Sequence, residues 1–276
     1  MTDRYAVIGH PVAHSRSPQI HATFARQTAQ DISYERLLAP LDQFVATVKQ
    51  FREQGGRGSN VTLPFKLEAF ALADEFSERA RDAGAANTLM FRADGIFADN
   101  TDGAGLLADI VNNLGVSLTG ARILLLGAGG AAQGVFMPLL SQSPAILHIA
   151  NRTQARTAAM LEKFAPQIRL THAHVTSSDF AQLNDSEFDL VVNATSSSLS
   201  DELPPLPTGL FGQSSLAYDM MYGKGLSPFL RFAQSQGAAR IADGLGMLVE
   251  QAAESFYLWR GVRPRSQPVI AALRNA

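Results

Sequence analysis

Two short stretches of the chain carry residues that could exchange a proton with a substrate. The first is Asn60-Val-Thr-Leu-Pro-Phe-Lys66, in which Pro64 predicts a helix start and so places Lys66 in the first turn. A cation at that end costs about 0.3–1 kcal/mol, because it faces the positive pole of the helix dipole. Local rules are broken in this way at functional sites. The alternative is a solvated surface lysine.

The second stretch, Asn100-Thr-Asp-Gly103, precedes a helical pattern of apolar residues. Asp102 suits the N-cap of that helix, which is the purely structural interpretation. A helix N-terminus also keeps a carboxylate ionised. If the fold brings Asp102 beside Lys66, the carboxylate would orient the amine for proton transfer.

Hydroxyl groups that could bind a carboxylate stand near the N-terminus, in His14-Ser-Arg-Ser-Pro18. The pattern predicts a helix with Ser17 as its N-cap and Pro18 in its first turn. Ser15 and Ser17, beside a helix N-terminus, could also hold a substrate carboxylate. The residues taken alone favour the capping interpretation.

A glycine loop follows a predicted buried strand in the middle of the chain. Four branched apolar residues, 123–126, are typical of a strand buried on both faces. The next six residues, Gly127-Ala-Gly-Gly-Ala-Ala132, fit the pattern G-x-G-x-x-A. In it, Gly127 makes the turn and Gly129 lets the backbone approach a pyrophosphate. A helical stretch follows, so the pattern predicts a dinucleotide site, although tight packing alone would also require small residues.

The residues after the next strand predict which dinucleotide binds. NAD enzymes place Asp or Glu near this point, where the acid holds the ribose hydroxyls. Here the chain reads Asn151-Arg-Thr-Gln-Ala-Arg156, with no acid and two arginines. A guanidinium can form two parallel hydrogen bonds with the extra phosphate of NADP. The sequence therefore predicts NADP; the alternative is two surface arginines at a helix start.

The elements that must position these residues alternate between strand and helix through most of the chain, which predicts an α/β fold with a doubly wound second half. The first hundred residues end in a hairpin around Asp94-Gly95. The predicted strands are 4–9, 34–39, 58–62, 88–91, 96–98, 123–126, 146–151, 168–172, 189–193 and 216–219. The predicted helices are 18–30, 42–54, 64–73, 133–142, 153–164, 227–236 and a long one within 243–259.

Composition excludes several classes of protein. The 276 residues, 46% hydrophobic and 17% charged, suit an ordinary globular protein of two domains. A net charge of −2 gives no case for binding nucleic acid or an anionic membrane, and the absence of cysteine excludes disulfides and thiolate chemistry. His172 and His174 would share a strand face, but no further ligand stands nearby, so no metal is predicted. Without a signal peptide or a spanning segment, a cytoplasmic location is expected.

Together these motifs resemble the shikimate dehydrogenase family over nearly the whole chain. The resemblance rests on nine motifs in the family's order: 9–18, 60–66, 84–88, 100–103, 127–132, 151–153, 193–196, 218–222 and 243–246. It implies reversible, NADPH-dependent reduction of 3-dehydroshikimate to shikimate, by a monomer or a homodimer. It also implies a substrate-binding, catalytic α/β domain at 1–101, completed by the C-terminal helices at 243–276, and an NADP-binding Rossmann domain at 102–242.

The resemblance also implies roles for particular residues. Lys66 and Asp102 match the catalytic pair, and Ser15 and Ser17 match the residues that hold the substrate carboxylate, which reverses the preference for capping. The substrate-binding positions are Ser15, Ser17, Asn60, Thr62, Lys66, Asn87, Asp102, Tyr222 and Gln251. The predicted cofactor contacts, from the motifs and the resemblance together, are Glu78, Gly127, Ala128, Gly129, Gly130, Ala131, Asn151, Arg152, Thr153, Arg156, Thr195, Met220 and Gly244.

Three other functions fit the sequence less well. A quinate/shikimate dehydrogenase that uses NAD is disfavoured by Asn151-Arg-Thr153. A two-domain enzyme that reduces folate one-carbon units gives no reason for the serines of 14–18. A catalytically inactive relative that regulates transcription would not require Lys66 and Asp102, and the near-zero net charge does not suit DNA binding.

Overall fold

The computed structural model describes residues 2–183, 187–195, 197, 202–223 and 225–275. The chain divides into two compact units. The first unit is Met1–Gly105 together with Leu248–Ala276, and the second is Leu106–Met247. The sequence predicts domain boundaries after residues 101 and 242, whereas the units change after Gly105 and Met247. Asp102 therefore belongs to the first unit.

The first unit contains a mixed sheet of six strands. They are β1 (Asp3–Gly9), β2 (Ile32–Leu38), β3 (Gly56–Val61), β4 (Glu75–Phe76), β5 (Thr88–Phe91) and β6 (Ile96–Asp99). Their order is β2-β1-β3-β5-β6-β4. β1 is parallel to β2 and β3, whereas β5 is antiparallel to β3 and β6. The antiparallel pairing of β5 with β6 confirms the hairpin predicted at Asp94-Gly95.

Helices cover this sheet through their apolar faces. These helices are α1 (Ser17–Thr28), α2 (Phe44–Glu53), α3 (Lys66–Leu72) and α4 (Glu78–Ala83), and α5 (Asp102–Leu107) then leads into the second unit, whose core contains Leu106. Phe44, Val48 and Phe51 of α2 are buried, as their spacing predicts, and Phe44 stacks on Phe65 with 4.8 Å between ring centroids. Each such side chain contributes about 1.5–3 kcal/mol when it is fully buried. Val45 of the same helix is exposed.

The second unit is built on a parallel sheet of six strands. They are β7 (Arg122–Leu126), β8 (Ile146–Ala150), β9 (His174–Ser178), β10 (Phe188–Asn193), β11 (Phe211–Asp219) and β12 (Arg240–Asp243). Their order, β9-β8-β7-β10-β11-β12, is the Rossmann order, and its direction reverses between β7 and β10. Ligands bind such sheets at the carboxyl ends of the strands, beside this reversal. The helices are α6 (Gly130–Ser141), α7 (Gln154–Lys163), α8 (Ala165–Ile168) and α9 (Pro228–Ser235).

One predicted strand is wrong. Residues 165–168 form the short helix α8, and the strand lies later, at His174–Ser178. Pro166 in the first turn of α8 favours the helical backbone, and Leu170 is 87% exposed, so it has no core against which a strand could pack. His172 therefore precedes the strand and does not share a strand face with His174. Within the described residues no group of three or more acidic or histidine side chains could hold a metal ion.

The C-terminal segment returns to the first unit. It contains α10 (Leu245–Arg260) and α11 (Gln267–Arg274). From α10, the Trp259 ring stacks on Tyr5 of β1 at 4.6 Å, and its Nε1–H donates to the Leu89 carbonyl at 3.0 Å. The predicted fold class is confirmed: an α/β chain with a Rossmann domain and a second α/β domain completed by C-terminal helices. Across the part of the chain that the structure describes, no helix combines the length and apolar character needed to span a bilayer.

An ion network fastens α10 to the end of β6. Arg79 donates to both oxygens of the buried Asp99, at 2.7 and 2.6 Å, and also to Glu254 at 2.9 Å. Burial alone would raise the pKa of Asp99, but the Arg79 guanidinium outweighs burial and lowers it. Because β6 ends at Asp99, the network fixes the backbone from which Asp102 is presented.

A buried histidine lies behind the same sheet. His21 of α1 stacks on Tyr34 with 4.2 Å between ring centroids and contacts Trp259 at 5.4 Å. Neither ring nitrogen has a hydrogen-bond partner among the described residues. Burial lowers the pKa of His21 to about 3, so the folded protein holds the imidazole neutral.

This burial predicts a pH-dependent loss of stability. Below about pH 6.5 the unfolded imidazole binds a proton that the folded one does not. The free energy of unfolding should therefore fall by about 1.4 kcal/mol per pH unit from this residue as the pH decreases toward 5. His21→Phe should remove that contribution, which urea unfolding at several pH values would measure. The exposed His172→Gln serves as the control, and equal slopes in wild type and His21→Phe would contradict the prediction.

Candidate active site

The loop before α1 carries the two predicted carboxylate-binding serines. The Ser15 hydroxyl donates to the Ser17 hydroxyl at 3.1 Å, and the Ser17 N–H donates to Ser15 Oγ at 3.3 Å. The predicted N-cap is wrong, because Arg16 occupies that position without a side-chain cap bond and Ser17 is the first helical residue. Both hydroxyls therefore lie together at the start of a helix, where N–H groups favour an anion.

Two arginines hold this loop in place. Arg36 of β2 donates from Nε and Nη2 to the Ser15 carbonyl, at 2.9 and 2.6 Å. Arg16 donates to the Leu273 carbonyl of α11 at 3.2 Å. The loop is thus tied both to the sheet and to the C-terminal helix, which fixes the position of the serine hydroxyls.

Lys66 and Asp102 form an ion pair. Lys66 begins α3, as Pro64 predicts, and its Nζ donates to Asp102 Oδ2 at 2.5 Å. The side chains are 29% and 15% exposed, so the amine remains accessible to a ligand. Asp102 begins α5, and its N–H donates to the Asn100 side-chain oxygen at 3.2 Å. Its carboxylate bonds to Lys66 rather than standing alone at the helix end, and it therefore holds the amine in one position.

Asn87 contacts the other oxygen of Asp102. Its Nδ2 donates to Asp102 Oδ1 at 2.8 Å, and it also lies 3.3 Å from Gln251 Oε1 of α10. Gln251 donates in turn to the Leu248 carbonyl at 2.9 Å. The structure therefore brings four of the predicted substrate-binding residues into one cluster: Lys66, Asp102, Asn87 and Gln251.

Asn60 and Thr62 lie at the end of β3, next to this cluster. Asn60 Nδ2 donates to the Asn87 carbonyl at 3.2 Å, and the Tyr34 hydroxyl donates to Asn60 Oδ1 at 2.7 Å. Burial raises the pKa of the Tyr34 phenol well above its usual value, and a hydrogen bond from Ser17 partly opposes this effect. The Thr62 methyl packs against Gly9, where a Cβ would lie only 2.3 Å away. Gly9 is therefore the small residue that makes room for Thr62.

Tyr222 and Glu78 each belong to a different structural unit from most of the residues that share their predicted role. Tyr222, a predicted substrate contact, follows β11 in the second unit. Glu78, a predicted cofactor contact, is an exposed residue of the first unit in the first turn of α4, which Ser77 caps by accepting from the Ala80 N–H. Both roles stay predictions.

The glycine loop has the geometry of a phosphate-binding turn. Gly127 has φ of 111°, and a Cβ there would lie 3.1 Å from the Ala194 carbonyl oxygen, so glycine is required. Gly129 is the N-cap of α6 and Gly130 its first residue. Apart from the adjoining backbone, no atom of the described residues lies within 4 Å of a Cβ built on either one. A pyrophosphate can therefore approach the N–H groups at this helix start, and the loop residues 127–131 fit a dinucleotide.

The predicted NADP-selective residues lie between β8 and α7. The Asn151 side chain donates to the Thr153 carbonyl at 3.0 Å, and Thr153 is the N-cap of α7. Arg152 and Arg156 are both exposed. Neither guanidinium pairs with another group in the described ranges, so both can reach a phosphate. The carboxyl end of β8 is the place where a Rossmann sheet binds the adenosine ribose.

Thr195, Met220 and Gly244 follow three neighbouring strands of the second sheet. The Thr195 hydroxyl donates to the Asn193 side-chain oxygen at 2.7 Å, and the Met220 N–H donates to the Asn193 carbonyl at 3.0 Å. A Cβ on Gly244 would lie 2.2 Å from the Met220 carbonyl oxygen, so this approach requires glycine. Ser196, in the motif that contains Thr195, lies outside the described residues.

Sequence reasoning missed several polar residues behind the cluster. Thr88, Thr101 and Ser255 are fully buried and bond with Asn60 and Asn87. Thr88 and Thr101 stand next to Asn87 and Asn100 in two of the motifs that carry the family resemblance. That position was the only feature of the sequence that could have indicated a role for them. Nothing in the sequence distinguished Ser255 from any other serine of a helix.

The Rossmann unit and the Lys66–Asp102 pair define a class, that of two-domain α/β dehydrogenases that use a nicotinamide dinucleotide. A relative from Nitrosospira multiformis, named "Shikimate dehydrogenase (NADP(+))", is 60% identical over 276 residues, which cover 100% of this chain and 98% of the relative. The chain belongs to the shikimate dehydrogenase family.

Family matches and solved structures agree with this membership. Residues 7–89 match the shikimate dehydrogenase substrate binding domain, 108–200 the shikimate / quinate 5-dehydrogenase family and 244–274 the shikimate 5'-dehydrogenase C-terminal domain. An Ael1 enzyme from Pseudomonas putida superposes with a TM-score of 0.93 at 52% identity, over 99% of this chain and 98% of that one. Shikimate 5-dehydrogenase from Thermus thermophilus, in complex with NADP(H) and shikimate, has a TM-score of 0.86 at 33% identity, over 99% of both chains.

Proposed function

We propose that this protein catalyses the reversible, NADPH-dependent reduction of 3-dehydroshikimate to shikimate, a step toward chorismate and the aromatic amino acids. The observation that carries the proposal is the 2.5 Å contact of Lys66 with Asp102 beside Asn87 and Gln251. The name of the Nitrosospira relative and the ligands of the Thermus structure support the same substrate and cofactor. The first unit would bind the substrate and the second the cofactor.

Substrate binding follows from the chemistry of the clustered side chains. The hydroxyls of Ser15 and Ser17 would donate to the substrate carboxylate, where the N-terminus of α1 adds favourable charge. Thr62, Asn87 and Gln251 would hydrogen-bond the ring hydroxyls. Asn60 and Tyr222 complete the proposed set. A substrate without the carboxylate would lose these hydrogen bonds and the favourable charge of the helix N-terminus, and would bind less tightly.

Cofactor binding rests on residues of the second unit, with Glu78 of the first as a further contact. The N–H groups of the glycine loop, residues 127–131, would hold the pyrophosphate. Arg152 and Arg156 would hold the extra phosphate of NADP, supported by Asn151 and Thr153. The remaining proposed contacts are Thr195, Met220 and Gly244, the last two beside the nicotinamide.

The protein's own contribution to the reaction is charge and proton transfer. When bound, NADPH supplies the hydride that reduces the C3 carbonyl. Lys66 Nζ would stabilise the negative charge that develops on the carbonyl oxygen and would donate a proton to it. In the reverse direction the neutral amine would accept the proton of the C3 hydroxyl. Asp102 would hold Nζ in place and accept a hydrogen bond from a substrate hydroxyl.

An absorbance assay of NADPH formation tests the proposal directly. The purified protein is given shikimate or quinate, each with NADP+ or NAD+, in four parallel reactions. We expect turnover with shikimate and NADP+ to exceed the other three combinations. No turnover with shikimate and NADP+ would overturn the proposal. If quinate is turned over at a rate comparable to that of shikimate, the protein is a quinate/shikimate dehydrogenase. The family that residues 108–200 match is described by both substrates. The proposal includes a cytoplasmic location and a monomeric or homodimeric state.

A further inference from the structure

Thr88 is a buried residue that the proposed reaction does not use. It follows Asn87 directly and begins β5, and its side chain is fully buried. The Thr88 hydroxyl lies 2.9 Å from Asn87 Oδ1, 3.1 Å from Asn60 Nδ2 and 2.8 Å from Ser255 Oγ. Thr88 therefore contacts two residues of the candidate site and one residue of α10.

The chemistry of these partners sets the direction of each bond. An amide nitrogen only donates, so Thr88 Oγ1 accepts from Asn60 Nδ2. An amide oxygen only accepts, so the Thr88 hydroxyl donates to Asn87 Oδ1. Ser255 can give its own proton either to Thr88 or to the Gln251 carbonyl at 3.0 Å. Donation from Ser255 to Thr88 satisfies all three Thr88 contacts at once, because it leaves the Thr88 proton for Asn87 Oδ1.

The orientation of the Asn87 amide decides what Asp102 contacts. The amide oxygen accepts from the Thr101 N–H at 2.9 Å and from Thr88, and the amide nitrogen therefore faces Asp102 Oδ1 at 2.8 Å. If the amide turned over, its oxygen would face the carboxylate and repel it. The remaining Asp102 oxygen holds Lys66 Nζ, so the position of the amine depends on this orientation.

We propose that Thr88 is a positioning residue for the Asp102–Lys66 pair, that it acts through the Asn87 amide, and that Ser255 holds Thr88 from α10. The inference rests on the proposed function, because it concerns the groups that would transfer the proton. Buried hydrogen-bond networks of this kind lock side chains in one arrangement when every member is satisfied. In this network Thr88 contacts Ser255, which lies 167 positions later in the chain.

A pair of matched variants tests the role of the hydroxyl. Thr88→Val keeps the shape of the side chain and suits a strand, but it removes the hydroxyl. Thr88→Ser keeps the hydroxyl and removes only a methyl group. We expect Thr88→Val to lower kcat for shikimate oxidation about tenfold, because catalysis is sensitive to displacements below 1 Å. The KM for NADP+ should stay unchanged, and Thr88→Ser should retain most of the wild-type kcat.

Controls separate positioning from loss of folding. Thr28→Val removes another hydroxyl of the first unit, which donates to the Phe24 carbonyl at 2.7 Å, and should leave kcat unchanged. Wild-type kcat per folded molecule in Thr88→Val, or an equal loss in Thr88→Ser, would overturn the inference. If Thr88→Val does not fold, Ser255→Ala decides instead, with kcat expected to fall at least about threefold, the effect of one hydrogen bond. An inactive wild type would instead refute the proposed function.

Discussion

Lys66→Ala should lower kcat for shikimate oxidation by about 10²–10⁴-fold, the range expected for a general acid–base residue. The variant removes the amine that we propose as the proton donor to the C3 oxygen. It also removes the positive charge that would stabilise that oxygen in the transition state. The binding of NADP+, measured by fluorescence or calorimetry, should change little, because its proposed contacts lie almost entirely in the second unit.

Two further variants separate proton transfer from simple charge. Lys66→Arg keeps a cation next to Asp102 but holds its proton throughout the working pH range, so kcat should still fall steeply. Lys49→Ala removes an exposed lysine from α2 and should leave kcat unchanged. Turnover near the wild-type rate in Lys66→Ala would refute the role assigned to this amine.

Arg152→Asp should reverse the preference for NADP+ over NAD+. A charged hydrogen bond to a phosphate contributes about 1.5–3 kcal/mol, so loss of the guanidinium should lower kcat/KM for NADP+ by about 10- to 10²-fold. The new carboxylate repels the extra phosphate and can accept hydrogen bonds from the ribose hydroxyls of NAD+. Measured kcat/KM values for both cofactors, with shikimate held saturating, give the ratio directly.

Comparison variants locate the effect at the cofactor site. Arg152→Ala should lose NADP+ affinity without gaining activity with NAD+, since alanine offers the ribose no acceptor. Arg169→Asp makes the same change of charge at an exposed position after α8 and should leave the ratio unchanged. A preference for NADP+ that survives Arg152→Asp would assign the selectivity to other residues, Arg156 first among them.

Local patterns predicted much of the fold. The branched run before Gly127, the alternation of strands and helices and the hairpin at Asp94-Gly95 each depend on neighbouring residues, and the structure has each of them. The strand predicted at 168–172 is wrong, which shows that a local pattern does not always identify the secondary structure. Residues 168–172 alternate between apolar and polar types as a strand does, but Pro166 favours a helix just before them and the exposed Leu170 has no core to pack against.

The serines near the N-terminus show a different limit. The pattern of Ser17 before Pro18 correctly indicated the start of a helix, but it assigned the wrong cap. The residues alone allowed carboxylate binding as an alternative, and the family resemblance made it the preferred interpretation. The structure adds what neither source contained, which is the double hydrogen bond from Arg36 that holds the loop.

By itself, the sequence predicted the alternation of strands and helices in the second half, the glycine turn at Gly127 and the basic loop that contains Arg152. Each of these depends on residues close together in the chain, where backbone geometry follows from residue type. The tertiary structure alone decided that Lys66 meets Asp102, 36 residues away, and that Asn60 meets Ser255, 195 residues away. Such contacts exist because the ends of several strands and the returning helix α10 meet in one place, and no local pattern encodes that meeting.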